Sequence, residues 1–143
     1  MLSATIRVRV PFVDVDSSQR IHYTAMFRYM EVAEHELMRT IGLPYATTLG
    51  DLAMPRAHLS CDFIGAIVFD DQLEVEARVE KVGNTSWTVG FVARKVATPG
   101  DTPLPGDGAQ VVARGRMVIV TMDPETEKAT PLPDSLRRAL SGD

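Results

Sequence analysis

At 143 residues the chain fits one domain with room for a proper core. Its 45% apolar and 24% charged residues are ordinary for a globular protein, and a net charge of −4 with scattered Lys and Arg gives no footprint for nucleic acid. A single cysteine, Cys61, excludes an intrachain disulfide and a cysteine-built metal site. No apolar run nears the roughly 18 residues that span a bilayer, and the N-terminus shows no signal-peptide core. These readings place the chain in the cytoplasm, with no membrane partner.

In chain order, residues 4–13 predict a strand. Ile6, Val8, Val10 and Phe12 alternate with Thr5, Arg7, Arg9 and Pro11. Pro11 has no N–H for a ladder, which marks an edge or the strand's end. A short polar run from Asp14 to Tyr23 leads to a stretch free of Pro and Gly, Thr24 to Ile41, rich in helix formers. Met26, Tyr29, Met30, Ala33, Leu37 and Ile41 form its apolar stripe, with Thr24 as N-cap and Gly42-Leu43-Pro44 as stop. Phe27, Val32 and Met38 lie off the stripe, so the helix should be more buried than a surface helix.

Strands follow. Arg56 to Val68 carries alternating and then continuous apolar residues, Asp70-Asp71 is a break, and Gln72 to Val82 alternates Leu73, Val75, Ala77 and Val79 against charges. Gly83-Asn84 reads as a hairpin turn into Ser86–Val96. Thr98 to Gly108 carries three Pro and three Gly and reads as an irregular loop, followed by a long strand 109–122 and a short terminal helix 133–140. One domain, residues 1–143, results: strand, helix, then four strands expected as an antiparallel meander.

Asp16 stands in a loop that delivers the chain onto a helix N-terminus, where unpaired N–H groups and a partial positive charge gather. That suits attack on an activated carbonyl; an Asx-turn or a helix cap is the bland alternative. Asp14, at the alternate position, reads as structural. Glu31 and His35, four apart, share a helix face, as an ion pair or as a carboxylate over a pocket, while Glu34 and Glu36 read as surface charges. His22 adjoins the helix start. His58 and Cys61 sit within a strand, and three dispersed His residues lack metal-site spacing.

The ordered set Asp14-Val15-Asp16, Tyr23, Tyr29-Met30-Glu31, Gly42-Leu43-Pro44, Ser60-Cys61, Asp70-Asp71, Ser86 and Arg114 resembles the hotdog-fold acyl-CoA thioesterases of the 4-hydroxybenzoyl-CoA thioesterase type. The resemblance covers most of the chain. It implies an α+β hotdog fold, a long central helix wrapped by a curved antiparallel sheet of about five strands, forming a homodimer or homotetramer with active sites at the dimer interface. It implies hydrolysis of an acyl-CoA or acyl carrier protein thioester, with no cofactor and no metal. Asp16 would be the catalytic carboxylate, as nucleophile or general base, and the Tyr23 backbone N–H would receive the thioester oxygen. Glu31, His22, Ser86 and Arg114 would bind substrate.

Two departures stand out. Many relatives carry Gly where this chain has Gln19, and relatives of the hydroxybenzoyl type carry a basic cluster where this chain has Gly83-Asn84-Thr85 near Lys81. A carrier-protein thioester, or an acyl-binding protein without turnover, is the alternative these departures raise. A hotdog hydratase is disfavoured. Its D-x-N-P-[LIV]-H and His-x(5)-Pro-Gly runs are missing, and Ser18 and Gln19 stand where Asn and Pro would be.

Overall fold

The computed structural model describes residues 2–45, 50, 52–106 and 108–142. The first strand, β1 (Ser3–Arg9), alternates half-buried and exposed positions as its sequence requires. It ends before Pro11, and the chain turns through one 3-10 turn, Phe12–Asp14. Helix α1 (Ala25–Thr40) buries Ala25, Met26, Tyr29, Met30, Ala33, Glu34, Leu37 and Met38. Thr24 is its N-cap by position but makes no side-chain capping bond. Gly42, at φ +83, ends the helix in the left-handed region that glycine enters without a Cβ penalty.

The strands β2 (Arg56–Phe63), β3 (Gln72–Val82), β4 (Ser86–Thr98), β5 (Thr102–Pro103) and β6 (Gln110–Val120) complete one antiparallel sheet. Its order is β1-β3-β4-β6-β2, with β5 paired to the end of β4. The expected meander is therefore corrected: β2 skips β3 and lies on β6 at the opposite edge. The Thr98–Gly108 stretch is corrected too, since Thr102 and Pro103 pair back onto Thr98 and Ala97. Helix α2 (Asp134–Leu140) closes the described chain. Among the described residues it is the expected short terminal helix, seven residues long beside the sixteen of α1.

The β3–β4 hairpin forms where Gly83-Asn84 predicts it, with the Gly83 N–H donating to Ser86 O at 2.7 Å. Arg137 of α2 donates to the carbonyls of Gly83 and Asn84 at 2.9 and 3.0 Å, so the terminal helix seals that turn. Leu73, Val75, Ala77, Trp87, Val89, Phe91, Ala93, Ala113, Met117 and Ile119 are buried on the inner face with the helix side chains. A Cβ at Gly115 would lie 2.4 Å from Met30 Cε and 2.8 Å from Ser60 O. Met30 of α1 thus fills the space over the one β6 position without a side chain, and the neighbouring Arg114 and Arg116 face the other way.

One charge defies the expected surface placement. Glu34 is 1% exposed; its Oε2 accepts from Tyr45 Oη at 2.5 Å and from Arg56 at 2.5 Å. It ties α1 to the start of β2 rather than facing water. Glu31 and His35 do not pair among the described residues; the His35 ring meets Tyr45 edge-on at 5.4 Å.

Candidate active site

Asp14 and Asp16 fall into opposite environments. Asp14 is 3% exposed; its carboxylate accepts from Tyr29 Oη at 2.6 Å and from the Arg28 guanidinium. Burial pushes its pKa up, but the bonds from Tyr29 and Arg28 outweigh that and hold it below the ordinary range. Burial, together with the bond to Asp14, raises the Tyr29 phenol well above its usual value. Asp14 is an anchor for the first turns of α1, as the alternation suggests.

Asp16 begins a tight turn. Its N–H donates to Arg20 O at 2.9 Å, and the Gln19 N–H donates to Asp16 O at 3.0 Å. Val15 and Ile21 pair as an antiparallel bridge that closes the loop. Gln19 sits at φ +68, which supplies the physical reason for a glycine there: a Cβ in the left-handed region costs about 1–2 kcal/mol. Gln19 holds this turn at a position strained for a residue with a side chain.

The Asp16 side chain closes an Asx-turn. Oδ1 accepts the Ser18 N–H at 2.8 Å and the Ser18 hydroxyl. The Ser18 hydroxyl, then its amide, holds the Asp16 carboxyl below the usual carboxylate range. Oδ2 takes no bond among the described residues. The carboxylate is fixed through one oxygen and left open at the other.

Backbone amides fill the gap between this turn and α1. The N–H of Ile21 donates to Ile67 O at 2.9 Å, that of His22 to Asp14 O at 2.7 Å and that of Ala25 to His22 O at 2.9 Å. The Thr24 N–H donates to His22 Nδ1 at 3.2 Å, so Nδ1 is unprotonated and the ring carries its proton on Nε2. The Thr24 hydroxyl also lies on Nδ1, at 2.7 Å. In the run 21–25 the Tyr23 N–H is the donor with no partner among the described residues. The helix starts two residues beyond it. The Tyr23 side chain is 65% exposed and stacks on His22 at 4.4 Å.

A cleft of about 330 Å³ adjoins the turn, lined by Ser18, Arg20, Ile21, Tyr23, the end of β2 at Phe63, and residues 64–67. Its far wall is fixed by a buried pair that the sequence reading missed. Lys95 Nζ lies 3.0 Å from Asp71 Oδ2 and donates to Ala66 O at 2.7 Å, while the Val68 N–H donates to the same Asp71 oxygen at 2.8 Å. Strand parity held the signal: Lys95 continues the inward series Trp87, Val89, Phe91, Ala93, and an inward lysine requires an acid.

The remaining candidates do not reach this cleft within one chain. Ser86 opens β4, nine residues from Lys95, or about 30 Å along a strand. Arg114 lines a separate hollow of about 360 Å³ with His58, Ser60, Asp62, Glu80 and Arg116, on the face away from α1. Glu31 is exposed on the second turn of α1. Burial, and the nearby Asp62 charge, push the Cys61 thiol up to about 11, which leaves it a poor nucleophile. Among the described residues, no three His, Cys, Asp or Glu side chains gather as a metal-holding group, and no helix is long and apolar enough to cross a membrane.

The Thioesterase superfamily profile matches residues 19–97. The chain belongs to the thioesterase superfamily. The match starts three residues beyond Asp16 and takes in Tyr23 and the 63–67 wall of the cleft. A 1,4-dihydroxy-2-naphthoyl-CoA thioesterase from Synechocystis superposes with a TM-score of 0.82 at 19% identity, over 97% of this chain and 96% of that one. A 4-hydroxybenzoyl-CoA thioesterase, as an aspartate-to-asparagine mutant complexed with 4-hydroxybenzoyl-CoA, gives 0.80 at 20% identity over 98% and 99%. The Aquifex aeolicus protein named "Putative esterase" is 29% identical over 91 residues, 62% of this chain and 70% of that one. The thioesterase hotdog fold is common to the superposed structures; here, among the described residues, it is a sheet of five main strands and the short β5, with helices α1 and α2.

Proposed function

We propose that the chain hydrolyses an acyl-CoA-type thioester, with Asp16 as its catalytic carboxylate and the Tyr23 amide as its oxyanion donor. The observation that carries this is the pairing of a half-open carboxylate with an unpartnered backbone N–H beside one cleft. The superfamily membership sets the reaction class, and the acyl-CoA thioesterases of the same fold favour a CoA thioester.

In this reading the thioester carbonyl oxygen lies on the Tyr23 N–H. The Asp16 carboxylate drives addition at the carbonyl carbon, by direct attack or by taking a proton from water. The C–S bond then breaks and the thiolate departs with the electron pair; on the direct route water next cleaves the Asp16 mixed anhydride, releasing the acid and restoring the carboxylate. A thiolate is a good leaving group, so no strong acid is needed. The low Asp16 pKa keeps the carboxylate ionised at neutral pH. One preorganised donor of the Tyr23 type is worth about 10²–10³ in rate.

The reading includes a second copy of the chain. Strand β2 is a sheet edge, and Leu59, Phe63 and Ile64 on and beyond it are exposed apolar residues. A mate joined along β2 would cover them. The experiment is thiol release from a panel of short aliphatic, long-chain and aromatic acyl-CoAs, with wild type and Asp16→Asn side by side. Turnover of some panel member, lost in Asp16→Asn, supports the reading; turnover that survives the substitution overturns it.

A further inference from the structure

We propose that Arg20 is the anion-receiving group of the cleft and selects ligands that carry an oxyanion, a carboxylate or a phosphate, beside the reacting thioester. The proposal rests on the cleft being the thioester site. Apart from Ser18 and Arg20, the lining is apolar side chains, one glycine and the exposed Tyr23, so Arg20 is the lining's single charge. Its backbone is held twice: Arg20 O accepts the Asp16 N–H at 2.9 Å, and Arg20 bridges Val68 on the opposite wall. The Arg20 backbone is therefore fixed beside the cleft, and its side chain is exposed there.

Its own partners are missing. Among the described residues nine of the twelve arginines bond or pair: Arg7, Arg9, Arg28, Arg39, Arg56, Arg78, Arg94, Arg116 and Arg137. Arg20 is one of three that do not, with Arg114 and Arg138. Arg114 lies in a hollow that also holds Asp62 and Glu80. The Arg20 cleft has no acid on its wall, and Asp16, on the same turn, has committed Oδ1 to Ser18 rather than to Arg20. A planar fork of five donors beside an apolar wall suits a carboxylate or phosphate bound bidentately.

The test uses thioether analogues, which bind without turnover and so read Arg20 even where hydrolysis fails. S-hexyl-CoA carries phosphates, S-(5-carboxypentyl)-pantetheine carries only a carboxylate, and S-hexyl-pantetheine carries neither. Their Kd values are measured by calorimetry on wild type, Arg20→Gln and Arg20→Lys. Arg20→Gln should weaken one anionic analogue by about tenfold or more, as expected for one charge-assisted contact, and leave the neutral analogue unchanged. Arg20→Lys should recover part of the loss. Which analogue responds identifies the anion as carrier phosphate or acyl carboxylate. Equal changes on all three analogues, no change on any, or no binding of any analogue to wild type would overturn the proposal. Failure of the thioesterase reading shows separately, as absent thiol release from the acyl-CoA panel.

Discussion

Asp14 and Asp16 are two residues apart and share one chemistry, yet the fold uses them in opposite ways. Asp14 is buried and spends both oxygens on Tyr29 and Arg28 of α1. Asp16 is bound through one oxygen to its own turn and contributes nothing to helix docking. The difference comes from the extended backbone at Val15, φ −104 and ψ 151, which sends alternate side chains to opposite sides. A carboxylate that holds the fold together is saturated with donors. One that acts on a substrate needs a fixed position and a spare lone pair.

The largest effect that would sharpen this contrast is on rate. Asp16→Asn should lower turnover by about 10³-fold or more while the protein stays folded. Next comes the cleft wall. Lys95→Met strands the buried Asp71 carboxylate and should cost about 3–5 kcal/mol in denaturant unfolding. Asp14→Asn leaves Arg28 without its counter-charge and weakens the bond to Tyr29, and should cost about 2–3 kcal/mol, a fall of roughly 5–10 °C in Tm.

Smaller effects probe the turn. The Ser18 hydroxyl holds the Asp16 pKa down, so wild-type kcat/KM should stay flat to below the ordinary Asp range near about 3.9. Ser18→Ala removes that bond, and the acid limb of the pH profile should move to higher pH. The sign is fixed: a weaker hold on the carboxylate lets it take up its proton earlier as pH falls. Gln19→Gly relieves the left-handed strain but loosens the unfolded chain, so stability should change by less than about 1 kcal/mol, on the stabilising side. Chemical denaturation checks it.

Elements governed by local pattern were legible in the sequence. The helix 24–41 is found at Ala25–Thr40, and strand parity places Leu73, Val75, Trp87 and Phe91 inward as observed. The Gly83-Asn84 hairpin followed from turn chemistry. What escaped depends on distant partners. The placement of β2 on β6 is set by pairing across fifty or more residues, Phe63 with Ala113 being the nearest pair, which no local period encodes. Glu34 looked like a surface charge because its partners, Tyr45 and Arg56, lie 11 and 22 residues away. The cleft joins residues 18–23 to 63–67, so its existence was hidden while Asp16 and Tyr23 were visible as a loop before a helix. Arg20 carried no motif and became notable only once its guanidinium was seen without a partner.

The central claim is that Asp16 acts on the thioester while Asp14 holds the helix. The most direct measurement is thiol release per folded molecule, taken beside the melting curve, for Asp14→Asn and Asp16→Asn on the best acyl-CoA of the panel. The account predicts a crossed result: Asp16→Asn melts like wild type and releases almost no thiol, while Asp14→Asn melts early and keeps most of its turnover. An Asp16→Asn protein that still releases thiol at the wild-type rate would contradict it.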